Sequence, residues 1–185
     1  MSSTRSLENS VPAAPARVVP GYAATAGAYN SGLLLLRLVV GLGMAAHGSQ
    51  KLFGFFGGAG LDGTGEYFVM SGYPAGKTMA VVAGLSETMG GLGIALGLLT
   101  PLAAAAVVGE MINALTVKGG GYFAPDGIEL ELLLVIAAAS LALTGPGRYA
   151  LDRFIPVLRS HRVIYGVAAI VLALVVGGVF LLIRA

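Results

Sequence analysis

Cysteine and tryptophan are absent from this 185-residue sequence, histidine occurs only twice, and charged residues make up 11%. Without cysteine there is no disulfide, thiolate metal site, iron–sulfur cluster or covalently attached c-type haem. Any redox role therefore needs another carrier. The charge shortfall, set against roughly 25% in soluble domains, excludes an ordinary cytosolic globule. A net charge of +2 is no footprint for nucleic acid. Lacking tryptophan, an interfacial aromatic belt has to be built from Tyr and Phe.

What is present is apolar. Hydrophobic residues reach 56% and glycines number 29, without a G-X-Y period, which points to helices packed closely in lipid. Residues 1–31, rich in Ala, Pro and Ser, read as a disordered cytoplasmic tail. No signal-peptide h-region precedes the first long apolar run, which is therefore expected to be a retained signal anchor. About 20 apolar residues cross the ~30 Å hydrocarbon core. Cutting the hydropathy at its breakers, with Thr100-Pro101 as a helix start, gives five spans at about 32–53, 78–99, 101–117, 128–144 and 163–183. The fold class is an all-α integral membrane protein.

Alternate loops set the expected orientation. Arg5, Arg17, Arg148, Arg153, Arg159 and Arg162 fall on one side; Lys51, Lys77, Lys118 and Arg184 fall on the other. The N-terminus is placed in the cytoplasm and the C-terminus outside. Eight aromatics, Phe55 and Phe56 among them, then lie in the outer loops, either as headgroup anchors or as an apolar lid over an outer-leaflet pocket. Asp62 to Ser71 reads as a short interfacial helix. The segment with Leu151, Phe154, Ile155 and Leu158 reads as an amphipathic helix on the bilayer, or as a docking contact.

Ionisable side chains in hydrocarbon cost about 2.5–3.5 kcal/mol each, so their placement is informative. Arg37, His47 and Lys51 share one face of the first span; Glu87 lies on the second, Glu110 and Asn113 on the third, and Glu129 and Glu131 open the fourth. Depth along the helices pairs Arg37 with Glu110 on the inner side. It gathers His47, Lys51, Glu87 and Glu131 on the outer side, with Glu129 at the edge. The acids outnumber the firm bases, so at least one carboxyl is expected to be protonated or in contact with water. That suits a proton relay or a polar-headgroup site, but also plain helix–helix glue. His47 and His161 fall at opposite ends of the membrane region, so one haem cannot use both, and no metal site is expected. Gly90, Gly91, Gly93 and Gly97 read as surfaces for close helix approach. The fifth span carries no ionisable residue and is expected to face lipid all round.

Taken in order, several motifs carry a resemblance. They are Leu36-Arg37-Leu38, Ala46-His47-Gly48, Gln50-Lys51-Leu52-Phe53-Gly54-Phe55-Phe56-Gly57-Gly58, Glu87 with Gly90-Gly91, Gly97-Leu98-Leu99-Thr100, Glu131-Leu132-Leu133-Leu134 and Gly145-Pro146-Gly147-Arg148-Tyr149-Ala150-Leu151-Asp152. Over about Gly32 to Asp152 the chain resembles the DoxX family of small bacterial membrane proteins. The resemblance implies a four-helix membrane core, here 32–152, and association with redox metabolism. In some members it implies quinone-linked thiosulfate oxidation or a complex with soluble thiol and superoxide enzymes. The tail and residues 153–185, with the additional C-terminal span, depart from that pattern. So does Asn113, near which relatives often carry histidine.

The resulting expectation is a cytoplasmic-membrane subunit of a quinone-linked oxidoreductase system. Glu87 or Glu131 would exchange protons, His47 would orient the headgroup, Lys51 would balance charge, and Phe55 and Phe56 would help to bind. Arg37 with Glu110 would hold the bundle. The alternatives are a non-enzymatic scaffold that docks soluble redox enzymes or other membrane subunits, and a small-solute transporter. Lipid is an expected partner throughout, and self-association stays open.

Overall fold

A computed structural model describes residues 25–125 and 127–184; the expected tail lies outside these residues as far as residue 24. Six α-helices follow in order: α1 (Ala26–Phe53), α2 (Gly60–Met70), α3 (Gly76–Leu96), α4 (Thr100–Lys118), α5 (Glu129–Thr144) and α6 (Val163–Ile183). No strand occurs among the described residues. Helix α1 begins six residues before the expected Gly32, because the Thr25 hydroxyl accepts from the Ala28 amide at 3.3 Å and caps it.

Four helices, α1, α3, α4 and α6, are long and apolar enough to cross a membrane. Helix α5 has 16 residues, about 24 Å at 1.5 Å per residue, short of the ~30 Å core. The short helix expected from Asp62 to Ser71 is α2, closed by Gly72 at φ 88°. By contrast, the expected amphipathic helix near Phe154 is a four-residue 3-10 helix, Leu151–Phe154, followed by turns.

Small residues set the packing. Helices α1 and α3 run against each other along Gly41, Gly48, Gly84 and Gly91, where an added Cβ would strike the opposite backbone or side chain. On its other side α3 meets α4, with Gly90 and Gly93 against Ala103. Helix α6 packs on both α4 and α5. Its buried residues, Gly166, Ala169, Ala173 and Gly177, form one stripe at three- and four-residue spacing. The expectation that this helix faces lipid all round is therefore corrected: one face is a structural wall, and only the rest is apolar and exposed.

A buried polar knot closes one end of the molecule. The α3–α4 turn brings Gly97 to φ 65° and Leu99 to φ 49°, leaving the last α3 carbonyls and the first α4 amides without helical partners. Arg37 donates to the carbonyls of Ile94 (2.9 Å) and Ala95 (2.9 Å), and also to those of Pro146 (2.7 Å) and Tyr149 (2.8 Å). Asp152 accepts from the amides of Leu99 (2.6 Å) and Thr100 (2.9 Å). Thr100 was read as the N-cap of α4; that task falls to Asp152, from 52 residues away in the chain. Together Arg37 and Asp152 clamp the 145–152 loop over the α3–α4 turn.

Candidate functional site

At the opposite end of the bundle, the last turns of α1 and α4 and the first of α5 bring charged side chains toward the middle of α3. Lys51, two residues before the end of α1, forms an ion pair with Glu87, whose side chain is 1% exposed. The same ammonium lies 4.0 Å from Glu110 on α4. Lys118, the last residue of α4, pairs with Glu131 at 2.6 Å. Glu87 Oε2 and Glu131 Oε2 are buried and have no hydrogen-bond partner among the described residues.

These groups line one cavity of about 200 Å³, roofed by Tyr67 and Phe68 of α2. Three carboxyls, Glu87, Glu110 and Glu131, meet two ammonium groups there. Charge balance in such a site calls for a proton on one acid, which makes that acid a hydrogen-bond donor.

A second cavity of about 280 Å³ lies between α3, α4 and α6. Its walls are apolar: Met79, Val82, Leu102, Leu172, Val176 and Phe180. It shares Phe68, Glu110 and Asn113 with the first, so a chamber lined by Lys51, Glu87, Glu110, Lys118 and Glu131 and one whose charged residue is Glu110 have a common edge. Asn113 is held there by three bonds. It accepts from the Tyr73 hydroxyl (2.9 Å) and donates to the carbonyls of Gly109 (2.9 Å) and Gly177 (3.2 Å). Burial raises the Tyr73 phenol above its ordinary value, against the lowering by Arg184 and with a further rise from Glu110, so the hydroxyl stays a donor.

Several expected placements differ. Arg37 and Glu110 do not pair; Arg37 spends its guanidinium on four carbonyls at the far end, and Glu110 joins Lys51 and Glu87. Counting residues from helix ends misplaced them, because it took no account of backbone carbonyls as partners. His47 lines the polar chamber but is exposed at its rim, where Nδ1 meets Gln50 Oε1 at 3.1 Å. Phe55 and Phe56 are 58% and 77% exposed and line neither chamber; the aromatics that do are Tyr67 and Phe68. Glu129 lies outside both chambers and accepts from the Phe123 amide. Lys118 was missed as a site residue, although its position eight residues after Glu110 puts both on one face of α4.

Comparison with known proteins gives the family. Over 128 residues the chain is 33% identical to "Putative oxidoreductase CatD" of Bacillus subtilis, covering 69% of this chain and 89% of that relative. A family model described as DoxX matches residues 32–120. The chain belongs to the DoxX family. It is also 33% identical over 132 residues to inner membrane protein YphA of Escherichia coli, covering 65% of this chain and 88% of that relative. To an uncharacterized membrane protein of Mycobacterium tuberculosis it is 30% identical over 134 residues, covering 65% and 79%. No solved structure matches. The DoxX match spans α1 to α4 and so includes Lys51, Glu87, Glu110 and Lys118, whereas Glu131 and the α6 wall lie beyond it.

Proposed function

We propose that this DoxX-family membrane protein is the quinone-binding subunit of a membrane oxidoreductase system. The observation that carries the reading is the shared edge at Phe68, Glu110 and Asn113 between a charged chamber and an apolar one. A ligand that fits both has a compact polar head and an apolar tail, as a quinone does. The buried, partnerless oxygens of Glu87 and Glu131 leave hydrogen-bonding capacity for the head.

A quinone supplies acceptance of two electrons and two protons. The protein's part is to hold the head and manage those protons. Lys51 holds Glu87 in place; the acid carrying the site's extra proton donates to a ligand oxygen. Glu110, at the edge of both chambers, is placed for that donation, and Glu131 with Lys118 is placed to renew the proton from the end of α4. In this reading a partner subunit or soluble redox enzyme supplies the electrons. The relative named an oxidoreductase supports this reading.

In this reading α5 is a fourth crossing and α6 a fifth, with the N-terminus cytoplasmic and the charged chamber near the outer leaflet. The chain geometry supports it: Lys118–Glu131 joins the end of α4 to the start of α5, and His161 meets the Leu143 carbonyl at 3.0 Å at the opposite end.

The test is quinone content per chain after gentle extraction from native membranes, with electron transfer to added quinone measured alongside. Retained quinone, lost in Glu110→Gln and Glu87→Gln, is expected. Purified protein without quinone, together with unchanged electron transfer in Glu87→Gln, would overturn the reading and leave the scaffold role as the better account.

A further inference from the structure

The clamped loop at the other end builds a second polar cavity that the proposed redox role does not use. Arg37 and Asp152 fix residues 145–152 against the α3–α4 turn, and the Arg148 amide is further tied to Asn30 Oδ1 at 2.6 Å. This presents Arg148, Arg153 and Arg159, with His161, around a cavity of about 390 Å³. None of the three guanidinium groups pairs with a carboxylate among the described residues. Asp152, which also lines the cavity, has both oxygens committed to the α4 amides. Three guanidinium groups facing one space, with Asp152 the single carboxylate on its wall, make a site for a phosphate-type group.

What lies beside the cavity identifies the source of that phosphate. Leu158 lines it and also lines an apolar groove of about 270 Å³ between α4 and α6, walled by Leu102, Tyr165, Ala168 and Leu172. Around the arginines, Phe154 and Val157 are each 68% exposed, and the Arg153 guanidinium lies 4.5 Å from the Phe154 ring centroid. That composition suits the boundary between headgroups and acyl chains. A free phosphate would use the cavity alone; a phospholipid would use both cavity and groove.

We propose that this is a binding site for an anionic phospholipid, with its phosphate among Arg148, Arg153 and Arg159 and one acyl chain in the α4–α6 groove. Basic recesses at membrane helix ends recognise anionic headgroups in this way. The occupant would brace α6 against α4 along a groove that shares Leu102 and Leu172 with the apolar chamber.

The test uses the full chain reconstituted in vesicles of mixed phosphatidylglycerol and phosphatidylcholine, extracted in mild detergent, with bound phospholipid per chain read by mass spectrometry. Phosphatidylglycerol is expected to be enriched over phosphatidylcholine. The enrichment should fall on the order of a hundredfold in the R148Q/R153Q/R159Q variant, from the contribution of each surface arginine. Ala168→Trp, which fills the groove from a position that lines neither redox chamber and leaves the arginines intact, should also lower it. Single R153Q gives a graded loss even if the triple variant folds poorly, and folding is read from thermal melting in phosphatidylcholine alone. Equal retention of both lipids, enrichment that survives the arginine substitutions, or stabilisation by millimolar inorganic phosphate equal to that by phosphatidylglycerol would overturn the proposal.

Discussion

Gly41 and Gly91 face each other reciprocally across the α1–α3 interface. A Cβ on Gly41 would lie 2.5 Å from the Gly91 carbonyl oxygen, and a Cβ on Gly91 would lie 2.5 Å from the Gly41 carbonyl oxygen. Seven residues along each helix, Gly48 and Gly84 repeat the approach. The antiparallel register of the two helices is thus fixed by glycine at two levels, and the Lys51–Glu87 pair sits beside the second.

That register predicts an inversion of helix propensity. Alanine in place of glycine stabilises an exposed helix by about 1 kcal/mol, yet Gly91→Ala must push two backbones apart and should destabilise. Gly91→Leu should abolish the folded species. Thermal melting and size-exclusion profiles in detergent check both; a melting point for Gly91→Ala at or above that of the parent would contradict the close approach.

The α6 interface gives a paired prediction with opposite signs. A Cβ on Gly166 would collide with the Ala142 carbonyl, whereas one on Gly109 would sit 3.4 Å from the Ala173 carbonyl oxygen, an ordinary contact. Gly166→Ala should lower the melting temperature. Gly109→Ala should be neutral or stabilising, by up to about 1 kcal/mol. If both variants melt alike, α6 does not dock as described.

Hydropathy made the helices legible: α6 occupies the expected 163–183, and α3, α4 and α5 fall within a few residues of expectation. What it obscured was which face mattered. Helix α6 looked uniform because apolar character hides the difference between a lipid-facing leucine and a buried glycine; the spacing of Gly166, Ala169, Ala173 and Gly177 held that information. Charged residues announced a site but not its pairings. Arg37 satisfies itself on carbonyls that exist as acceptors only because α3 ends at Leu96 and the loop folds back. No count along one helix contains that. Of the eight aromatics expected in the outer loops, Phe55 and Phe56 were singled out for binding; they precede α2, whereas Tyr67 and Phe68 lie within it and line the chamber.

The Asp152 cap predicts a stability loss far from either chamber. Its two oxygens serve two amides at the start of α4. Asp152→Ala removes both bonds and strands buried donors, at about 1–3 kcal/mol each. Asp152→Asn keeps one acceptor and should lie between. Melting temperatures should rank parent, Asn, Ala, while Glu87-dependent chemistry at the other end stays unchanged in the protein that remains folded.

The Lys51–Glu87 pair permits a test that separates charge from shape. Removing Lys51 leaves a carboxyl that is 1% exposed without its cation, and breaking a buried pair on one side costs about 3–5 kcal/mol. The loss should be smaller here, because Lys51 is itself 29% exposed. Lys51→Met alone is therefore expected to lower the melting temperature. Adding Glu87→Met removes the stranded group, and the double variant should recover stability to near or above that of the parent. Quinone retention should not recover with it, because the double variant restores packing without restoring the hydrogen-bonding groups of the chamber. Recovery of both would place the ligand elsewhere; recovery of neither would mean that the pair positions α1 on α3 through geometry and not through charge.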